Sequence, residues 1–556
     1  MRFSKLRTVA VGLAATALVL SGCSAGPPAG GSGGGGGGGP LTIGMPNGPQ
    51  TNNSNPFLNT SSARSLGYAF AIYEPLAQVN AVRPSDRPTP WLATAWEWNA
   101  DSTAVTLTAR DGVTWSDGRP FTAEDIAFSL QIRKDNAALN EDALPFAEIT
   151  TSGNTATATF TSPQFVNQNK ILNLFVVPRH IWQNIAEPTT DLNQQPVGTG
   201  PYVLDSWTPQ AVRLVPRQGY WGGQPQVPEL RYTSYNDNDA LTNALVSGDA
   251  QWGWTFIADI DTVYIGADPE HHHFIAPSGL AVDALFLNAE QAPFNDAAVR
   301  KAVDMVVSRE DVSTLATSGA FDPLTNVTGM PMPAGDDYVA GQYAGRAYEV
   351  DVEGARRVLA DAGYVLDGQT LRDPAGNPVE FTLVDPAGWS DYLTSLQLVA
   401  DAVAQLGITA RVETMNTDAW TNAVNQGDFQ ATLHWTNGGS TPWDMYSNMF
   451  DGAQYRPLGE TATWNYGRFQ NAEATQAFAT YASASDAAAR EAALHTIQRI
   501  FVEQAPAIAM ISRPNAAEYS TRNWTGWPTE ADLYSSPQPT GPQASMILMR
   551  LRPTGS

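Results

Sequence analysis

The stretch PVEFTLVDPAGWSDYLTSLQLVADAVAQLGITARVETMNTDAWTNAVNQGDFQATLHWTNGGSTPWD, Pro378 to Asp444, decides the fold. Val379, Phe381 and Leu383 alternate with Glu380 and Thr382, the period-2 pattern of a half-buried strand. Asp385-Pro386-Ala387-Gly388-Trp389-Ser390 is turn-rich and lifts one indole off the strand end. Ser390 is placed to cap the helix that follows. In that helix Leu393, Leu396, Val399, Val403 and Leu406 recur at helical spacing, and Gly407 ends the run. A strand at Ile408–Glu413, a helix around Trp420–Asn425 and a strand at Phe429–His434 complete a β-α-β-α-β unit. In open α/β sheets ligands gather beyond the carboxyl ends of the strands, where Trp389, Trp435 and Trp443 fall. No paired acid and base, nucleophile or metal cluster accompanies them, so the residues suit holding a ligand rather than cutting one.

Working outward, 556 residues are too many for one core and imply at least two lobes. A net charge of −24 argues against nucleic acid or an anionic lipid surface as partner. With only 15% of residues charged, that acidity is a thinly spread, solvated surface. Sixteen tryptophans are the more telling feature. Residues 1–23 read as an export signal: Arg2, Lys5 and Arg7 precede an apolar run too short to span a bilayer. Leu20-Ser21-Gly22-Cys23 resembles the bacterial lipoprotein signal, in which the cysteine is acylated, and Cys23 has no disulfide partner in the chain. Residues 24–40, with Gly33–Gly39 unbroken, read as a flexible tether reaching roughly 20–25 Å. Gly30-Gly31-Ser32-Gly33-Gly34 fits the hydrolase pattern G-x-S-x-G, but it lacks the flanking strand and helix that a nucleophile elbow needs.

The first folded part is strand-rich, from Leu41-Thr42-Ile43-Gly44 through Val105–Ala109 and Thr155–Phe160, with Thr122–Asp125 capping a helix at Ile126–Ile132. Several blocks then occur in order: Tyr73-Glu74-Pro75-Leu76, Trp115-Ser116-Asp117-Gly118-Arg119-Pro120, Pro196-Val197-Gly198-Thr199-Gly200-Pro201-Tyr202 and Gly219-Tyr220-Trp221-Gly222-Gly223. Together with Ala244–Asp249 and Asn295–Ala302 they resemble the large extracellular solute-binding proteins of oligopeptide-type ABC importers. The resemblance runs from about Leu41 to the C-terminus. It implies a two-lobed α/β periplasmic-binding fold of the large form, closing about a hinge. Residues 41–277 plus 514–556 would make lobe one, with an extra subdomain at about 70–195, and 278–513 lobe two. Ala276-Pro277-Ser278-Gly279 and Arg513-Pro514-Asn515 suit the two crossings. Helix caps are expected at Asn295, Asp351 and Ser485.

The family includes carriers of peptides, nickel, haem and oligosaccharides. Its peptide binders neutralise an ammonium with a carboxylate in a lobe-two loop; here Thr441 precedes Pro442, and Asp444 is the remaining candidate. A sugar instead asks for ring faces and planar polar groups. The blocks Gln251–Asp261, Pro386–Tyr392 and Trp524-Thr525-Gly526-Trp527 resemble the cello- and chito-oligosaccharide-binding branch. On that resemblance Trp389 and Trp527 stack on the sugar from opposite lobes. Trp435 replaces an asparagine of the chito-binding pattern, which favours a plain β-glucoside. Trp254, Trp435 and Trp443 add ring faces; Asn53, Asn437 and Asp444 add donors and acceptors. His271-His272-His273 on an extended segment cannot all face one ion, and Asn236–Asp239 reads as a helix cap rather than a calcium loop.

The expectation is a non-enzymatic, monomeric receptor without cofactor or metal. It would be lipid-anchored on the extracytoplasmic face of the cell membrane, handing a short oligosaccharide to ABC permease subunits. An oligopeptide is the alternative guest. A glycosidase, with two carboxylates about 5–10 Å apart across the bond, and a surface adhesin are the rivals from other classes.

Overall fold

In a computed structural model the described residues are 38–555 without Ser85 and Ser485. The expected signal segment, Cys23 and all of the tether before Gly38 lie outside them. Among the described residues no helix is long and apolar enough to cross a membrane.

The Pro378–Asp444 run forms strands Glu380–Pro386, Thr409–Met415 and Ala431–Trp435, with helices Ser390–Ala404 and Thr417–Gln426 between them. The three strands are parallel, with Glu380–Pro386 in the middle. Two further strands, Val282–Leu287 and Ala507–Ser512, extend the sheet antiparallel to five strands. Both are buried at every residue, which explains their unbroken apolar runs. Leu396, Val399 and Val403 pack their helix onto this sheet, and Gly407 stops the run at φ +81. Ser390 is the first helical residue rather than the cap; Trp389 holds the cap position with no capping side-chain bond.

A second sheet has seven strands around Leu41–Met45, which is parallel to Leu230–Ser234 and Trp252–Gly253. Its far end is completed by Ala517–Ser520, which returns from the other lobe to pair with His272–Ile275 and Trp252–Gly253. The two sheets define two α/β lobes. The chain leaves one after Ile275, enters the other at Val282, and crosses back between Ser512 and Ala517. The two crossings run side by side, tied by Asn515 N–H to Pro277 O and Arg513 N–H to Ala281 O, both 2.9 Å. A four-stranded antiparallel sheet, Ala93–Trp98, Ala104–Ala109, Thr155–Phe160 and Phe146–Ser152, has its own core under helix Ala123–Asp135. Thr122 and Asp125 cap that helix reciprocally, and it starts earlier and ends later than its apolar residues suggest. Asp351 caps as expected, whereas Asp296 does the work expected of Asn295, and Asp486 that expected of Ser485, which is not described.

Candidate binding cleft

The loop leaving Glu380–Pro386 meets the first lobe at the start of helix Asn238–Ser247, which Asp237 caps. Asn238 N–H donates to Gly388 O at 3.1 Å. Its side-chain amide reaches Ser390 Oγ at 3.2 Å and Asp391 Oδ1 at 3.1 Å. The approach is tight: a Cβ on Gly388 would lie 2.5 Å from Asn236 O. Asn238 is braced behind by Thr255, whose hydroxyl donates to Asn238 Oδ1 and whose N–H donates to Glu518. Trp389 Nε1–H donates across the boundary to Pro46 O at 3.2 Å. Trp254 packs against the cores of both lobes and tilts over Phe321, their ring centroids 5.8 Å apart.

Around Trp389 the second lobe gathers an aromatic cluster. Tyr392 and Trp420 present edges to it at 5.5 and 5.1 Å, and Trp435 lies tilted at 6.2 Å. His434 stacks on both Trp420 and Trp435. Burial pushes its imidazole down to about 3, so it is neutral. The Arg513 guanidinium lies 5.0 Å over Trp435 and donates to Asp283 Oδ1 at 2.8 Å and Tyr392 Oη at 3.2 Å. Burial alone would weaken that charge; Asp283 outweighs it and holds Arg513 protonated. Asp391 is pushed up to about 6 by burial, with Asp283 adding and the Asn238 bond opposing. Burial also drives Asp385 and Glu518 well up, and each keeps one carboxyl oxygen without a hydrogen-bond partner.

At the other end of the boundary, Lys170 on helix Gln168–Asn173, rooted in the four-stranded subdomain, reaches into the second lobe. Its Nζ lies 2.5 Å from Asp444 Oδ1, 3.7 Å from Asp142 Oδ1 and 4.8 Å from the Trp443 ring centroid. Asp444 is 6% exposed, and its other oxygen lies 2.1 Å from where a Cβ on Gly439 would be. Burial raises the Asp444 carboxyl while Lys170 pulls it back, and the two acids overcome the burial of Lys170 to keep it charged. Nearby Thr463 Oγ1 donates to Glu141 O at 3.2 Å, a further tie between lobes.

The structure thus brings Trp389, Trp435 and Trp254 to the boundary between lobes, and Trp443 with Asp444 to its far end. Trp527 is elsewhere. It is 6% exposed in the first-lobe core, stacked on Tyr519 at 5.1 Å, with Trp252 edge-on at 5.4 Å and Nε1–H bonded to Trp524 O. In this conformation it offers no open ring face, which corrects the expected sandwich. Trp443 is similarly occupied: it is buried, bonded through Nε1–H to Phe478 O, and carries Lys170 over its ring. Asn53 is a buried turn residue accepting from Asn55 N–H, and the Asn437 side chain is exposed. The three histidines are taken by other partners: His271 by Asp268, His272 by Tyr264, and His273 by Tyr519 and Thr521. His272 is buried, whereas His271 and His273 are half-buried. Lys170, Asn238 and Asp283 were missed. In the sequence Arg513 stands out only as part of the Arg513-Pro514-Asn515 crossing. Lys170 sits in an unremarkable polar run, and an Arg before a proline at a crossing was the sole available signal for Arg513.

The family described as bacterial extracellular solute-binding proteins, family 5 middle, matches residues 87–456. Protein XP55 of Streptomyces lividans is 27% identical over 318 residues, 56% of this chain and 56% of XP55. The glutathione-binding protein GsiB of Salmonella typhi is 25% identical over 332 residues, 58% of this chain and 60% of GsiB. The matched stretch therefore spans little more than half the length of these relatives. A mannohexaose-bound periplasmic oligopeptide-binding protein of an ABC transporter from Thermotoga maritima superimposes with a TM-score of 0.84 at 22% identity, covering 93% of this chain and 99% of the other.

Proposed function

Since the chain belongs to the bacterial extracellular solute-binding proteins of family 5, we propose that it is the substrate-binding component of an ABC importer. Its guest is a short, uncharged oligosaccharide, β-linked glucose units in the first instance. Residues 41–277 with 514–556, and 278–513, are the two lobes that shut on it. The folded part hangs from a membrane lipid attached at Cys23 through the 24–40 tether. It acts as a monomer, delivers its guest to permease subunits and catalyses nothing.

The observation that carries this reading is the position of Trp389. Its indole belongs to a cluster with Trp420 and Trp435 on the second lobe, yet its N–H is bonded to Pro46 of the first. A half-buried ring that changes its surroundings as lobes meet couples guest stacking to closure. Trp435 and Trp254 supply further faces at the same boundary. The mannohexaose held by the Thermotoga protein supports a sugar guest in this fold. The peptide reading draws on the oligopeptide-binding description of that same protein and on the glutathione of GsiB.

Titration with cello-, xylo- and manno-oligosaccharides of two to six units, followed by tryptophan fluorescence, tests the proposal. A saturable change with at least one series is expected. Silence toward every sugar, together with saturable binding of di- to pentapeptides, would transfer the receptor to the peptide class.

A further inference from the structure

We infer that Lys170 is a specificity-determining residue: its ammonium fills a socket in the second lobe that would otherwise accept the ammonium of a guest, so the shut cleft selects against cationic ligands. This rests on the binding reading above but not on the guest being a sugar.

The socket is defined by what surrounds Nζ. Asp444 lies 2.5 Å away, Asp142 3.7 Å away, and the Trp443 ring centroid 4.8 Å away. Asp444 and the Trp443 ring belong to the second lobe and Asp142 to Lys170's own lobe, so what a guest ammonium would find in the second lobe is one buried carboxylate and one indole face. Asp444 is built in rather than draped on the surface. Its residue is 6% exposed, it lies in the first turn of helix Trp443–Phe450, and Gly439 leaves room for its second oxygen, which a Cβ there would meet at 2.1 Å. A carboxylate so buried needs one cation near it. Among the described residues the second lobe pairs no cation with it; the subdomain of the first lobe does, on a helix anchored by Ile171 and Leu172 in its own core. Lobe closure and charge neutralisation are therefore one event. Three other acids at the boundary have partners of their own: Asp283 with Arg513, Glu141 with Arg64 at 3.3 Å, and Asp391 with the Asn238 amide. An ammonium-bearing guest entering this end would have to displace Lys170 and leave it beside a like charge.

Chemical rescue tests the socket without knowledge of the guest. Lys170→Ala should lower the melting temperature, and methylammonium chloride should raise it again, relative to potassium chloride at equal ionic strength. Wild type and the Lys170→Ala/Asp444→Asn double variant should show no such difference. Selectivity is read on matched guests: cellotetraose against the glucosamine tetramer, and N-acetyl-trialanine against trialanine. Within whichever pair binds, wild type should favour the member without an ammonium by roughly 10-fold or more, and Lys170→Ala should reduce or reverse that ratio by a similar factor. No methylammonium rescue of Lys170→Ala would overturn the inference. So would a wild-type receptor that holds the ammonium-bearing member as tightly as its partner. Rescue and a peptide-pair preference, with no sugar binding, would leave the socket standing and remove the sugar guest.

Discussion

Replacing Gly388 by alanine should prevent the lobes from shutting as they do here. Gly388 does not occupy the left-handed region, so alanine meets no backbone strain, and the three atoms nearest an added Cβ all belong to the first lobe. The added Cβ would instead stand 2.5 Å from Asn236 O and 3.0 Å from Asp237 Cα, both first-lobe backbone. Ordinary contact would push the surfaces apart by about 1 Å, beyond hydrogen-bonding range for the groups that meet there. Asn238 N–H to Gly388 O, and the Asn238 amide to Ser390 Oγ and Asp391 Oδ1, now 3.1 to 3.2 Å, are the bonds at risk. At about 1 kcal/mol each, their loss removes about 2–3 kcal/mol from the closed state. If guest binding requires closure, affinity falls by roughly 30- to 150-fold. Calorimetric titration gives the affinity and solution scattering the compaction on adding guest, while an unchanged melting temperature without guest separates blocked closure from misfolding. Binding within about 2-fold of wild type, with the same compaction, would refute the idea that closure passes through this contact.

Trp389→Ala should weaken sugar binding about 10-fold or more, since it removes both the ring face and the Pro46 bond; unchanged affinity takes Trp389 out of the site. Trp527→Ala should act on the fold instead, costing about 3–5 kcal/mol in denaturant unfolding because its ring packs on Tyr519 and Trp252; full stability with collapsed affinity would return it to the site. Asp391, at about 6 against an ordinary 3.8, binds more protons folded than unfolded between those values. Its contribution to stability is therefore intact at low pH and declines as pH rises from about 4 to about 6. Asp391→Asn should gain in melting temperature relative to wild type across that window, and a difference that stays flat with pH would contradict it.

What the sequence revealed and what it hid divide along the distance between interacting residues. The strand Ala507–Ser512 and the helix after Trp389 were legible because their patterns are local: a buried run, or apolar residues on one turn-spaced face. The caps at Asp237 and Asp351 were legible for the same reason, and Asn295 was mistaken for Asp296 because adjacent Asn and Asp cap equally well until the first turn is fixed. Ring faces obey no such local rule. Trp389 and Trp527 both follow a glycine in a short loop, yet one stands at the lobe boundary and the other is covered by Tyr519 and Trp252. The seven-stranded sheet decides that outcome: it sets Ala517–Ser520 beside Trp252–Gly253, and no periodicity near Trp527 encodes that pairing. Lys170 and Asp444 illustrate the same limit for charge. Asp444 stands out in its loop only as a possible partner for a guest's ammonium, Lys170 looks like an ordinary surface residue in its segment, and their pairing across the lobe boundary is visible only in the folded chain. Residues that act solely when two lobes meet are selected by the geometry of the closed molecule, so their signal is carried by the pair rather than by either neighbourhood.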